Sequence, residues 1–166
     1  MIELELVAVR VELPSSTPVV VLKELGGRHR TLSIFIGGPE AAAIAFAMEG
    51  VETPRPLTHD LMVNLLSELG YTLARVDITE LRDTTYFAEL VLNGPGASQR
   101  VSSRPSDALA LAMRVGCPIY CAESIMDEAG FIESSLDDEP DPEQSEAIVE
   151  EFLQFIDQVS PEDFES

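Results

Sequence analysis

The sequence predicts an α+β fold, in which a mostly antiparallel sheet packs against a few helices. Segments that alternate between apolar and polar residues outnumber the helical segments and follow one another in runs. The regular strand–helix–strand order of a parallel sheet is missing from this pattern. With 166 residues, of which 45% are apolar, the chain can bury an ordinary core. We therefore expect it to fold alone.

The first half of the chain is predicted to contain three strands followed by two helices. The predicted strands cover residues 2–13, 19–25 and 31–36. A helix over residues 40–49 follows Pro39, because proline suits the first turn of a helix. A second helix is predicted from Thr58, as its cap, to about residue 69, before Gly70. Its predicted core stripe consists of Leu61, Leu65, Leu66 and Leu69.

The second half is predicted to begin with an antiparallel meander. Its strands cover residues 71–81, 84–92 and 98–102, and short turns connect them. A helix that ends with Arg114 begins near Pro105, and Gly116 closes it. A short strand over residues 117–121 and a short helix or turn over residues 123–129 follow. Together these elements define a predicted domain over residues 1–133.

Residues 134–166 are predicted to form an acidic extension with a helix near residues 143–159. Residues 115–166 contain 16 acidic residues and no Lys or Arg, so they carry −16 of the formal net charge of −20. The predicted helix places these apolar side chains on one face: Ile148, Phe152, Phe155, Ile156 and Val159. We expect that face to pack on the domain or on a neighbouring subunit, because such a stripe is costly to leave in water.

Composition argues against a membrane protein and a secreted protein. No apolar stretch approaches the roughly 20 residues that a membrane-spanning helix needs. The first residues alternate between apolar and acidic, unlike a secretion leader. We therefore expect a cytoplasmic location, in which Cys117 and Cys121 stay unpaired thiols. A zinc site would need two more ligands, and both histidines are far from the cysteines in sequence.

The net charge limits how the chain could bind nucleic acid. A charge of −20 repels polyanions, so binding would depend on a local cationic patch or on metal ions. The one basic cluster, Arg28, His29 and Arg30, lies in a predicted hairpin turn. We predict a solvated turn there, with a phosphate contact as the alternative.

Two segments carry a family resemblance. Residues 55–61 read Arg-Pro-Leu-Thr-His-Asp-Leu, and residues 104–114 read Arg-Pro-Ser-Asp-Ala-Leu-Ala-Leu-Ala-Met-Arg. Together with residues 36–41 and 116–120, in this order, they resemble the bifunctional nuclease family over roughly residues 2–133. The resemblance implies an α+β fold, nuclease activity on DNA and RNA in some members, and self-association. We therefore expect a homodimer or a higher homo-oligomer.

The polar residues of these segments are candidates for catalysis and metal binding. His59 could act as a general base, and Asp60 could bind a divalent ion. Glu40 and Asp107 each stand in the first turn of a predicted helix and could join Asp60 in a carboxylate cluster. Such a cluster could hold Mg²⁺ or Mn²⁺ for hydrolysis of phosphodiesters. The alternative is that these residues only cap their helices.

Three further residues are candidates for phosphate binding: Arg55, Arg104 and Ser106. An arginine can pair with a phosphate through two hydrogen bonds, and a helix N-terminus favours an anion. The alternative is a structural ion pair between Arg104 and Glu40 or Asp60. We expect the polar residues of the two Arg-Pro segments to meet in space, since a proline places each at the start of a helix.

The leading hypothesis is a metal-dependent nuclease that hydrolyses DNA or RNA. Its rival is a non-enzymatic regulatory or scaffold protein, in which the same polar residues form a structural network and the acidic extension binds a basic partner. The resemblance favours the nuclease, and the net charge favours the rival.

Overall fold

The computed structural model describes residues 1–12 and 15–132. It has the predicted α+β fold class, and its element bounds agree with the predicted ones to within a few residues. In chain order the described elements are β1 (Ile2–Glu12), β2 (Thr17–Glu24), β3 (Thr31–Phe35), α1 (Gly38–Met48), α2 (Thr58–Glu68), β4 (Thr72–Arg82), β5 (Thr85–Asn93), β6 (Gln99–Ser103), α3 (Pro105–Val115), β7 (Ile119–Cys121) and α4 (Glu123–Ala129).

The described strands form one seven-stranded sheet in the order β3-β2-β1-β7-β4-β5-β6. It consists of two antiparallel meanders that the short strand β7 joins. β7 pairs antiparallel with β1, where Glu3 lies opposite Tyr120, and parallel with β4, where Asp77 lies opposite Tyr120. All other pairs are antiparallel. The β4–β7 pair is parallel because the α3 crossover lies between β6 and β7.

The core lies between the sheet and the helices, with α3 at its centre. α3 contacts α1, α2, β4 and β5. Its residues from Ala108 to Ala112 are all buried, and the small alanines allow close approach to α1. The largest fully buried apolar side chains are Leu22, Leu32, Ile44, Ile78, Leu109, Leu111, Ile125 and Met126. Burial on this scale makes α3 a rigid support for its own N-terminus.

The prediction that four leucines of α2 face the core is wrong for three of them. Leu61, Leu65 and Leu69 are 58%, 56% and 60% exposed, and only Leu66 packs against the core. The buried residue of this helix is His59. α2 faces the core with Val63 and Leu66, and hydrogen bonds of His59 and Asp60 with α3 hold its first turn there. Thr58 is the first helical residue and Leu57 is the N-cap, so the prediction of Thr58 as the cap is also wrong.

The predicted solvated turn at the basic cluster is wrong for Arg30. Its side chain is buried and donates from Nε to Glu24 Oε2 at 3.0 Å and from Nη1 to Asp127 Oδ1 at 2.7 Å. Arg28 reaches the same Asp127 carboxylate at 3.3 Å. These ion pairs connect the β2–β3 hairpin to α4, so the cluster serves the fold.

The acidic extension over residues 134–166, with its predicted helix near residues 143–159, lies outside the described residues and stays a prediction. In the part of the chain that the structure describes, no helix is both long enough and apolar enough to cross a membrane.

Candidate functional site

Three helices bring their first turns together at one pocket. Glu40 lies in the first turn of α1, His59 is the second residue of α2, and Arg104 and Asp107 stand at the start of α3. All four line a pocket of about 920 Å³. The convergence that the sequence left open is therefore observed, and the two Arg-Pro segments meet as expected.

Inside the pocket, the two segments meet through His59 and Asp107. The distance from His59 Nε2 to Asp107 Oδ1 is 3.2 Å, and the side chains are 10% and 24% exposed. A carboxylate only accepts hydrogen bonds, so Nε2 carries the proton that His59 donates. In the neutral imidazole, Nδ1 then carries the lone pair. The pair has the geometry of a histidine whose ring is oriented by a carboxylate.

Arg104 bridges the two carboxylates of the pocket. Its Nε donates to Asp107 Oδ2 at 2.7 Å, and its Nη2 donates to Asp107 Oδ1 at 3.0 Å and to Glu40 Oε1 at 2.8 Å. The Arg104–Glu40 pair is the structural alternative foreseen from the sequence. The arginine side chain is still 66% exposed, and its Nη1 makes no hydrogen bond to any described residue. The guanidinium is thus fixed, with one edge open to solvent.

The hydrogen bonds among His59, Arg104 and Asp107 affect the pKa values of Arg104 and Asp107. Burial raises the pKa of Asp107, but hydrogen bonds from Arg104 and His59 outweigh it, so the pKa lies below its usual value. Hydrogen bonds to Asp107 and Glu40 raise the pKa of Arg104. Asp107 therefore stays a carboxylate at neutral pH and can stabilise a positive charge on the imidazole.

Asp60 is engaged in a separate clamp. It accepts hydrogen bonds from the Leu57 amide at 2.8 Å and from Arg114 Nε. Arg114 also donates from Nη1 to the carbonyl oxygens of Ala43 at 3.0 Å and Ala110 at 2.9 Å. The clamp, formed by Asp60 and Arg114, therefore ties α2 to α1 and α3. The Arg114 hydrogen bond, against the effect of burial, lowers the pKa of Asp60.

The two remaining phosphate-binding candidates do not line this pocket. Arg55 is exposed, and its side chain contacts no described residue through a hydrogen bond or ion pair, although its neighbour Pro56 does line the pocket. Ser106 is buried and lines a neighbouring pocket of about 410 Å³, which Arg104 also borders. One residue along α3 turns the side chain by about 100°, which separates Ser106 from Asp107.

The three carboxylates do not form a ready metal site. Arg104 already bridges Glu40 and Asp107, and Arg114 holds Asp60. Within residues 1–12 and 15–132, no group of three or more His, Cys, Asp or Glu side chains is arranged to hold a metal ion. The described donor set thus does not fit a two-metal centre, and the predicted Mg²⁺ or Mn²⁺ stays a prediction.

Sequence reasoning missed two parts of this site. Arg114, the last basic residue of the chain, was not foreseen as the partner of Asp60, although it closes the second Arg-Pro segment. The apolar part of the pocket lining, which includes Phe46, Met62 and Val101, was also missed. Its sequence signal is weak, because its members come from three separate elements.

Comparisons with known proteins identify the family of this chain. A family model for the bifunctional nuclease domain matches residues 20–134. An uncharacterized protein of Mycobacterium tuberculosis (strain H37Rv) is 45% identical over 168 residues, which cover 99% of this chain and 98% of that protein. Bifunctional nuclease 1 of Arabidopsis thaliana is 33% identical over 105 residues, which cover 61% of this chain and 32% of the plant protein. Bifunctional nuclease 2 of the same plant is 31% identical over 112 residues, which cover 64% and 34% of the two chains. The chain belongs to the bifunctional nuclease domain family.

Proposed function

We propose that this chain cleaves phosphodiester bonds of nucleic acid at the pocket where the three helices begin. The observation that carries the proposal is the contact between His59 Nε2 and Asp107 Oδ1 beside the exposed guanidinium of Arg104. Membership of the family supports nucleic acid as the substrate class. The geometry supports the assignment of a role to each residue.

His59 acts as the general base. Because Asp107 accepts the proton of Nε2, the lone pair on Nδ1 takes a proton from the nucleophile, which is water or a ribose hydroxyl. The oxygen of the nucleophile bonds to phosphorus while the P–O bond to the leaving group breaks, and the leaving oxygen takes a proton from solvent. Asp107 holds the ring in this tautomer and stabilises the imidazolium that forms. A positioned general base of this kind contributes about 10²–10⁴-fold to the rate.

Arg104 binds the phosphate through its open edge. Its Nε and Nη2 are held by Asp107 and Glu40, so the guanidinium is ordered before the substrate arrives. Glu40 acts as a positioning residue for Arg104. Arg55 stays a candidate for contact with a neighbouring phosphate, since it is exposed and adjoins pocket residue Pro56.

A requirement for Mg²⁺ or Mn²⁺ is a separate proposal. Glu40 and Asp107 would have to release Arg104 before they could act as ligands, so metal binding and phosphate binding by Arg104 are coupled in this site. The dependence of cleavage on EDTA and on each ion tests this proposal independently of His59.

The experiment compares cleavage of labelled DNA and RNA by the purified chain and its variants, with EDTA, Mg²⁺ or Mn²⁺. His59→Asn and Asp107→Ala should each lower the cleavage rate by about 10²-fold or more. His29→Asn is the matched control, because His29 lies in a turn with a φ of 54° that asparagine accepts readily. It should retain full activity.

Two results would overturn the assignment. Cleavage that survives both site substitutions comes from a contaminating nuclease. Absence of cleavage by the wild-type chain favours the regulatory or scaffold alternative, in which the acidic extension binds a basic protein partner. The net charge of −20 is the observation that supports this second candidate.

We further propose self-association and a cytoplasmic location. Leu61, Leu65 and Leu69 form an exposed apolar face on α2 that a second copy of the chain could cover. Both cysteines are unpaired thiols, as expected in a reducing compartment.

A further inference from the structure

We propose that the pocket binds an unpaired nucleobase against Phe46, and that the chain therefore selects single-stranded nucleic acid. This inference rests on the proposed nuclease function, because it assigns the substrate class of the same site. It comes from the apolar side of the pocket, which the chemistry of His59, Asp107 and Arg104 does not use.

The apolar side is defined here as Phe46 of α1, Met62 of α2 and Val101 of β6. These side chains are 40%, 38% and 44% exposed, although each belongs to a pocket in which Ala43 and Leu90 are buried. Ala42 and Ala43 keep the space beside Phe46 open, because their side chains are small. The pocket thus combines fixed polar groups with an accessible aromatic ring, as ligand pockets commonly do.

Arg104 and Phe46 line the same pocket. Phe46 lies six positions after Glu40 on α1, which corresponds to about 9 Å along the helix axis and about 120° around it. Both residues border the pocket, so it offers a phosphate contact and an aromatic ring to one ligand. A phosphate at Arg104, which Glu40 holds, would place its base near Phe46. The pocket volume of about 920 Å³ leaves room for both parts.

A base inside a duplex is a poor ligand for this pocket. Both faces of a stacked base are covered, so an aromatic side chain reaches them only in a single strand or after the base has been flipped out. The net charge of the chain also favours single strands over a duplex. Duplex DNA carries about one negative charge per 1.7 Å of its axis. A protein with a net charge of −20 repels it more strongly than a single strand, which has a lower charge density.

The direct test uses a tryptophan in place of the ring. The chain contains no tryptophan, so Phe46→Trp introduces a single reporter that a stacked base should quench. A short oligothymidylate should quench it to saturation, whereas a duplex of equal length and concentration should not. The matched control is Phe131→Trp, since Phe131 is 46% exposed and is not among the described residues that line the pocket. Its fluorescence should be unchanged. Measurement in the His59→Asn background keeps the probe intact.

The second measurement is affinity by fluorescence anisotropy of a labelled oligonucleotide. Phe46→Ala should weaken single-strand binding about tenfold, as expected for the loss of one base stacked on an aromatic ring. Phe131→Ala should leave it unchanged. Equal quenching by duplex and single strand, no quenching despite binding, or no binding at all would each overturn the base site.

The outcomes separate this inference from the proposed function. Quenching of Phe46→Trp without any cleavage by the wild-type chain would support the base site and refute the nuclease role. Cleavage that depends on His59, with the same preference between single strands and duplex in wild type and Phe46→Ala, would refute the base site alone.

Discussion

The clamp between Asp60 and Arg114 can be tested by its contribution to the free energy of unfolding. We expect Arg114→Met to destabilise the fold while methionine preserves most of the apolar stem. The Arg114 side chain is 10% exposed and holds Asp60, which is 32% exposed. Removing one partner of a buried ion pair typically costs about 3–5 kcal/mol, because the other charge stays buried without compensation. Solvent around Asp60 screens part of that charge, so we expect about 2–3 kcal/mol.

Thermal and urea unfolding, followed by circular dichroism, measure this loss. For a chain of this size it corresponds to a fall in Tm of about 5–10 °C. The control is Arg82→Met, because Arg82 and Glu80 form a pair that is 62% and 47% exposed. That change should stay within about 0.5 kcal/mol. Adding Asp60→Asn to Arg114→Met should recover part of the loss, since no unpaired charge then remains.

The pH dependence provides a second readout of the clamp. The Arg114 hydrogen bond lowers the pKa of Asp60. The clamp therefore stabilises the fold at pH values above the ordinary carboxyl pKa, and this stabilisation is lost as pH falls through the lower folded-state pKa. The stability difference between wild type and Arg114→Met should be largest near neutral pH and should shrink below about pH 4. Equal stability of Arg114→Met and Arg82→Met at neutral pH would refute the reasoning.

Three further outcomes follow from other parts of the structure. A hydrogen bond from Arg30, against the effect of burial, lowers the pKa of Glu24, so Glu24→Gln should lower the Tm at pH 7 and lose this effect below about pH 4. Leu65→Glu should reduce the mass measured by light scattering if the exposed face of α2 joins subunits, and a monomeric wild type would contradict that contact. Burial raises the pKa of Cys117 to about 11 and that of Cys121 to about 12, so iodoacetamide at neutral pH should label neither thiol before unfolding. Rapid labelling of the native chain would contradict this.

The sequence predicted the elements well because their signals are local. Alternation marked the strands directly, and prolines marked the starts of α1 and α3. The meeting of His59 with Asp107 was also predictable, since the two Arg-Pro segments carry the family resemblance. Neighbouring residues specify the elements themselves, whereas the contact between His59 and Asp107 joins residues 48 positions apart and was expected only from the resemblance and the placement of both segments at helix starts.

The orientation of α2 could not be predicted in the same way. A periodic leucine stripe indicates that some surface covers it but does not identify that surface. The side of α2 that faces inward carries Val63 and Leu66, and the contact between Asp60 and Arg114, which lie 54 positions apart, fixes that orientation. A long-range contact of this kind leaves no local signal. Ser106 differs, because a single step along α3 turns its side chain to another cavity, and that step is local helix geometry.

The charges that line the pocket predict how the affinity for single strands depends on salt concentration. Arg104 is the one cationic side chain among the described residues that line the pocket. Binding of a single strand that neutralises Z phosphates falls with salt at a slope of roughly −0.7Z on logarithmic axes, so a single contact gives a slope of about −0.7. Salt also screens the repulsion between nucleic acid and a chain of net charge −20, which opposes that fall. We therefore expect the affinity for single strands, measured by anisotropy over a series of salt concentrations, to vary little. A steep fall, typical of proteins that contact many phosphates, would mean that a cationic surface other than this pocket binds the substrate.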